Sequence, residues 1–217
     1  MAVKMEIWGD YALFSRPELK VERVSYDVPT PSAARGMLES VYYHPGLKWT
    51  IDRIHVLNPI QFTNLRRNEV KSKLSASLAK SAMTGKSKAP LFLAASEDIV
   101  QRAAIMLKNV HYVIEAHFDI VSEKAAPGDN AGKFQDIVKR RLKKGTCYAQ
   151  PYLGTRECTA HFRLWEGGEI PAIQETRDLG LMLYDMDYSD LQNITPMFFR
   201  AQMVDGIIDL RDCEVYR

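Results

Sequence analysis

The chain has 217 residues, 46% of them hydrophobic, and a formal net charge of +2. That apolar content can bury a substantial core, in one large domain or two small ones. No window reaches the roughly 20 apolar residues needed to span a bilayer, and the opening "MAVKMEIWGD" alternates like a strand instead of carrying the apolar run of a signal peptide, so the expectation is a soluble, cytoplasmic globular protein.

In chain order, Val3, Met5 and Ile7 alternate with polar or exposed-type residues and predict a first strand. "TPSAARGMLESVYYHPG" predicts a helix with Thr30 as N-cap, Pro31 at the first helical position, an apolar stripe of Ala34, Met37, Leu38 and Val41, and a stop at His44, Pro45 and Gly46. "KWTIDRIHVL" and "PIQF" read as strands. Asn64 to Lys88 holds seven bases, one acid and no sustained apolar period, and is expected to be a mobile basic excursion. "RAAIMLKNVHYVIEAHFDIV" is expected to be a hairpin turning at Lys108 and Asn109, with Val110, Tyr112, Ile114, Ala116, Phe118 and Ile120 on one face and His111, Glu115, His117 and Asp119 on the other. After the loop "APGDN" comes a basic helix within "NAGKFQDIVKRRLKKG". The rest reads as strands: "CYAQPYLG", "CTAHFRLW", "GLMLYDMDY" and "FFRAQMVDGIIDL", the last with a hairpin turn at Asp205 and Gly206. The fold class expected is α+β. Its parts are a βα-containing domain over residues 1–124, a linking helix over 125–145 and a smaller all-β domain over 146–217.

Charge is distributed unevenly along this plan. Before Arg163 there are 24 bases and 16 acids; from Arg163 to the end there are 5 bases and 11 acids. Such asymmetry fits one surface that meets a polyanion and another that does not. In the basic helix, Phe134, Ile137, Val138, Arg141 and Leu142 form a stripe at helical spacing, with Lys133, Arg140 and Lys144 toward another face. A solvated amphipathic helix would look the same. Two details point further, because Lys133 falls in the first turn, where the macrodipole disfavours a cation, and Gly132 beside it costs on the order of 1 kcal/mol of helix propensity relative to Ala. An anion such as phosphate at the helix N-terminus would account for both.

Other residues carry weaker signals. Tyr42, Tyr43 and His44 cluster at the end of the first helix, either as core aromatics or to stack on and hydrogen-bond a nucleotide. His111 and His117 share a strand face with carboxylates, but residues six apart on a strand lie roughly 20 Å apart, too far for one ion, so no metal site is expected. Cys147, Cys158 and Cys213 are odd in number and widely spaced, which suggests buried thiols without disulfides or zinc. P-loop, G-x-G-x-x-G, G-x-S-x-G and H-E-x-x-H patterns do not occur, and no cofactor is expected.

Taken together, "WGDYALFSRPELKVERVSYDVPTPSAARGMLESVYYHP", "HVLNPIQFTNLRRNEV", "MLKNVHYVIEAHF" and "PYLGTREC" resemble the type I-C form of the CRISPR-associated Cas five family, the "d" subtype. The resemblance runs from about Trp8 to Cys158 and on through the β-rich end; several long stretches in one order are far more specific than a short pattern. It implies a repeat-associated (RAMP) fold, with an N-terminal ferredoxin-like, RRM-type domain and a C-terminal β-sheet domain. It also implies an endoribonuclease that cuts precursor CRISPR RNA at the base of each repeat hairpin without a metal. Such a protein keeps the 5′ handle of the mature crRNA within the interference complex, beside the backbone and large subunits. A non-catalytic handle-binding scaffold is the alternative, and a generic RRM-like module a more distant one.

The chemistry so implied is attack of a ribose 2′-OH on the adjacent phosphate, giving a 2′,3′-cyclic phosphate and a 5′-OH. In the family the site is a tyrosine ending the first helix and a Lys-His pair following a glycine. The tyrosine falls on Tyr42 and the lysine on Lys133, while Phe134 occupies the histidine position. Phenylalanine cannot move a proton, which leaves three options: Tyr42 with Lys133 alone, a stand-in such as His44, or binding with slow cleavage. Tyrosine and lysine ordinarily titrate near pH 10, so either would need a lowered pKa to act as a base at neutrality. Backbone contacts to RNA are expected from Lys139, Arg140, Lys143 and Lys144 of the helix. The excursion carrying Arg66, Arg67, Lys71, Lys73, Lys86 and Lys88 matches the family's thumb, at about 64–100.

Overall fold

The computed structural model describes residues 2–19 and 21–217. Its elements are β1 (Val3–Ala12), β2 (Arg23–Val24), α1 (Pro31–Val41), β3 (Leu47–Val56), β4 (Phe62–Val70), α2 (Ala76–Met83), β5 (Ile99–Ile120), α3 (Ala131–Lys144), β6 (His161–Leu164), β7 (Arg177–Asp187), β8 (Thr195–Met203), β9 (Ile207–Asp209) and β10 (Val215–Tyr216). The chain divides into two compact units, one made of the residues up to Thr63 with Ile105–Arg217 and the other of Asn64–Ala104.

In the larger unit the main sheet runs β6-β1-β5-β3-β9, antiparallel throughout. Set aside β9, and β1-α1-β3-β5-α3-β6 is a βαββαβ chain with strand order 4-1-3-2, the ferredoxin-like arrangement, so the α+β expectation holds. The basic helix α3 is its second helix and β6 its fourth strand. A separate sheet, β10-β8-β7, closes the chain. One face of the main sheet is apolar: Met5 sits opposite Ile114, Val3 opposite Ala116 and Trp49 opposite Phe118, and Val3, Met5, Ile114 and Ala116 are fully buried. This face meets the helices, as the Phe118–Phe134 ring contact and the bond from Trp49 Nε1–H to the Tyr42 carbonyl show. The other face is polar, with Glu6 between His111 and Arg163, and Glu115 beside Lys4, Arg53 and His55.

Several sequence expectations are corrected here. Lys108 and Asn109 do not turn the chain: β5 is one 22-residue strand, and Asn109 takes a left-handed φ of 52° within it. Asparagine tolerates that region, but without a glycine beside it the pair does not form the two-residue reversal. Asp205 and Gly206 do so, with φ of 47° and 73° and paired bonds between Val204 and Ile207. "CYAQPYLG" is irregular apart from one bridge between Tyr152 and Thr159, since Pro151 lacks an N–H and Gly154 holds a left-handed φ of 88° where a Cβ would overlap the Leu13 carbonyl. In "PIQF" only Phe62 is in a strand. Of the thiols, Cys158 is buried, whereas Cys147 and Cys213 are half-buried.

The smaller unit has more regular structure than its composition suggests. Strand β4 pairs with β5, and α2 starts from a Ser75 cap. On β4 the inward-leaning positions are Thr63, Leu65, Arg67 and Glu69, so the period of two is present but mostly polar. Asp98 ties the segment after β4, accepting from the Ser72 N–H at 2.8 Å and its hydroxyl at 3.0 Å.

Candidate active site

Helix α1 forms as its sequence predicts. The Thr30 hydroxyl accepts from the Ala33 N–H at 3.1 Å, Pro31 opens the first turn, and Pro31, Ala34, Met37, Leu38 and Val41 are buried. It ends at Tyr42, whose backbone is extended (φ −145°, ψ 110°) while its N–H still reaches the Leu38 carbonyl. The exposed end is clamped by Arg141 of α3: its Nη1 donates to the Val41 carbonyl at 2.7 Å, and its guanidinium lies 5.1 Å from the Tyr42 ring centre. The two neighbouring tyrosines part company. Tyr42 is 8% exposed and Tyr43 57% exposed, so the first belongs to the packed junction and the second to the surface.

The chain then turns into β3. The Gly46 N–H donates to His44 Nδ1 at 3.1 Å. Glycine is required at 46, because a Cβ there would come within 2.8 Å of Ala125 Cα.

At the start of α3, the Asn130 side chain accepts the Lys133 N–H at 2.9 Å. The charge expected to need a phosphate is met first by a protein group: Lys133 Nζ donates to Asp129 Oδ1 at 2.9 Å. The Asp129 carboxylate is 2% exposed, also accepts the Ala126 N–H at 2.8 Å, and lies 3.5 Å from His44 Nε2. Phe134 is fully buried under the site, its ring 4.9 Å from that of His44, 6.1 Å from Tyr42 and 6.2 Å from Phe118. Tyr42 at the end of α1 and Lys133 in the first turn of α3 are thus brought together with His44.

The electrostatics set protonation states. Burial, and then the negative charge of Asp129, raise the Tyr42 phenol above its ordinary pKa, while Arg141 and Lys133 only partly oppose this. The hydrogen bond and charge of Asp129 raise Lys133 too, and the same bond, with the Ala126 N–H, lowers Asp129. At neutral pH the centre therefore presents a phenol, an ammonium and a carboxylate. Neither Tyr42 nor Lys133 gains the lowered pKa that a base would need.

Lys139, Arg140, Lys143 and Lys144 are all exposed on α3, with Lys143 Nζ 2.6 Å from Glu166. In the smaller unit Arg66, Lys71, Lys73, Lys86 and Lys88 are exposed, and Arg67 is half-buried near Glu69. His111 and His117 each have their own carboxylate, Glu6 and Asp52, at 2.8 Å. Among the described residues no group of three or more His, Cys, Asp or Glu is placed to hold a metal ion, and no helix is long and apolar enough to cross a membrane.

Sequence reasoning missed two residues. Asp129 lies in the loop before α3, and the signal for it is its spacing of four from Lys133, which allows the ion pair that forms. Arg141 sits on the inward stripe of α3, and its contact with the end of α1 has no sequence signal.

Known proteins match nearly all of this chain. The family described as CRISPR-associated protein (Cas_Cas5), in its Cas5d form, matches residues 2–211. A Mannheimia succiniciproducens protein named CRISPR pre-crRNA endoribonuclease Cas5d is 48% identical over 214 residues, covering 96% of this chain and 94% of that one. A Thermus thermophilus protein of the same name is 37% identical over 225 residues, covering 96% and 90%. Two solved structures share the fold. One described as a CRISPR-associated protein has a TM-score of 0.69 at 21% identity, covering 100% of this chain and 97% of that one. The other, the functionally uncharacterized SMU1763c of Streptococcus mutans, has a TM-score of 0.70 at 23% identity with the same coverage. The chain belongs to the CRISPR-associated Cas5 family, and within it to the Cas5d proteins.

Proposed function

We propose that this chain is the endoribonuclease that cuts precursor CRISPR RNA at its repeat hairpins, through 2′-OH attack and a 2′,3′-cyclic phosphate. It then stays on the 5′ handle as a subunit of the cytoplasmic type I-C interference complex, beside the backbone and large subunits. The observation that carries this reading is the meeting of Tyr42 and Lys133 around the buried Asp129 carboxylate. Lys133 stabilises the negative charge that develops on the phosphoryl oxygens, an effect of a preorganised cation in a fixed place. Tyr42, held protonated, donates its proton to the departing 5′-oxygen and recovers one from water. The 2′-OH proton leaves to solvent, and no step uses a metal.

The remaining parts divide the binding. Lys139, Arg140, Lys143 and Lys144 track the phosphates of the hairpin, and the excursion with Arg66, Arg67, Lys71, Lys73, Lys86 and Lys88 acts as the thumb on the handle. The ferredoxin-like part carries the chemistry, and the C-terminal sheet supports α1, through Arg35 and Asp185.

The test is incubation of the purified protein with its repeat RNA in EDTA. Cleavage to a 2′,3′-cyclic phosphate is expected, and a 2′-deoxy substitution at the cut should abolish it. Phe134, buried where the family carries histidine, favours a second reading as a non-catalytic handle-binding scaffold. Tight binding with no cut product over hours would select the scaffold.

A further inference from the structure

The family's histidine position is Phe134, yet the site does contain an imidazole. It enters from the other side, on the loop between α1 and β3, and lies against the Phe134 ring at 4.9 Å. His44 could take over the missing proton transfer, or it could do something else.

The contacts of its two ring nitrogens decide. Nδ1 accepts the Gly46 N–H at 3.1 Å, so in the neutral ring the proton is on Nε2. Nε2 in turn faces Asp129 Oδ2 at 3.5 Å. A general base must offer a lone pair to the 2′-OH, and a general acid must aim its N–H at the leaving oxygen. Here the lone pair faces the backbone and the N–H faces a carboxylate, with the side chain only 26% exposed. The other charged or titratable groups around the ring are Tyr42 at the end of α1, Lys133 on α3, and Arg35, Glu39, Tyr43, Lys48 and Lys124, which line the recess beside it. None of them has a hydrogen bond to either ring nitrogen.

Asp129 is the hub of this arrangement. Backbone Ala126 fixes one oxygen, His44 borders the same oxygen, and Lys133 takes the other. A carboxylate held on one side can aim an ammonium on the other, as second-shell carboxylates aim catalytic groups elsewhere.

We infer that His44 and Asp129 are positioning residues that aim Lys133 at the scissile phosphate, and that His44 does not replace the family histidine as a proton carrier. The inference rests on the nuclease reading, so its test includes a readout independent of cleavage. Single-turnover rates and RNA affinity are measured for His44→Ala, His44→Gln and Asp129→Asn. Loss of aim should slow His44→Ala and Asp129→Asn by about 10- to 100-fold, with affinity within about threefold. Glutamine can accept the Gly46 N–H through its oxygen and donate to Asp129 through its nitrogen, so His44→Gln should recover to within about fivefold of the parent and keep its pH–rate profile. Imidazole nitrogen NMR of the free protein should show Nδ1 as the acceptor and the tautomer proton on Nε2, and the protection of the Lys133 ammonium protons should disappear in Asp129→Asn. His44→Gln as slow as His44→Ala, with a limb of the pH profile gone, would make His44 the proton carrier and overturn the inference. So would an Asp129→Asn protein with the parent's rate and an unchanged Lys133 signal. If the parent protein cuts nothing, the nuclease reading fails, and the NMR measurements still decide how Lys133 is held.

Discussion

The two ends of α3 handle positive charge in opposite ways. In the first turn the Lys133 ammonium is tied to a buried carboxylate and its N–H to Asn130. In the last two turns Lys139, Arg140 and Lys144 stand in solvent and pair with no acid among the described residues, while Arg141 turns inward to the end of α1. A cation fixed before the substrate arrives needs no reorganisation when charge develops, which suits it to a transition state. Long, loose cations release counterions from RNA without dictating its geometry, which suits them to grip. One helix thus separates chemistry from affinity along its length.

The contrast can be broken by substitution. Lys133→Ala should lower the single-turnover rate most, by about 10²- to 10³-fold, with little change in affinity. If affinity fell as far as rate, the two ends would not differ in kind. Tyr42→Phe keeps the packing and removes the donor, and should slow cleavage by about 10²-fold in the same assay. Arg141→Ala removes a charged bond to a carbonyl, which should cost about 1.5–3 kcal/mol and lower Tm by several degrees in a thermal melt. The smallest effect belongs to the loose end. Arg140→Ala should weaken binding only a few-fold and reduce the slope of log affinity against log salt by about 0.7–0.9.

The polar sheet face gives a pH control remote from both ends. Burial lowers the His55 pKa, opposed by Glu115, so the folded protein prefers the neutral ring. The unfolded chain binds a proton near pH 6.5, and between that pH and the lowered folded value it holds more protons than the native state. Stability should therefore fall as pH drops below about 6.5, level off below the folded pKa, and lose this dependence in His55→Leu. Urea midpoints measured from pH 7.5 to 5.5 would show it.

How much of this could be read from sequence depended on whether the signal was local. Thr30, Pro31 and the stripe from Ala34 to Val41 specify α1 by themselves. The turn at Asp205 and Gly206 is likewise written in two residues. Strand β4 was hidden because Arg67 and Glu69 take inward positions that hydrophobic periodicity expects to be apolar. Strand order was hidden because β6, which completes the sheet beside β1, is only four residues long and follows an irregular segment. At the site, resemblance pointed to Tyr42 and Lys133. The roles of Asp129 and Arg141 depend on which loop and which helix end they meet, which no local pattern records.

Strand β1 has both of its sheet neighbours far along the chain. Met5 has Ile114 on one side and Leu164 on the other, both far downstream. On a translating ribosome β1 would wait on the order of ten seconds for its first sheet partner. Such non-local pairing slows folding, so a nascent chain of this protein carries an unpaired strand through about half of its synthesis, where a chaperone has its clearest opportunity to act.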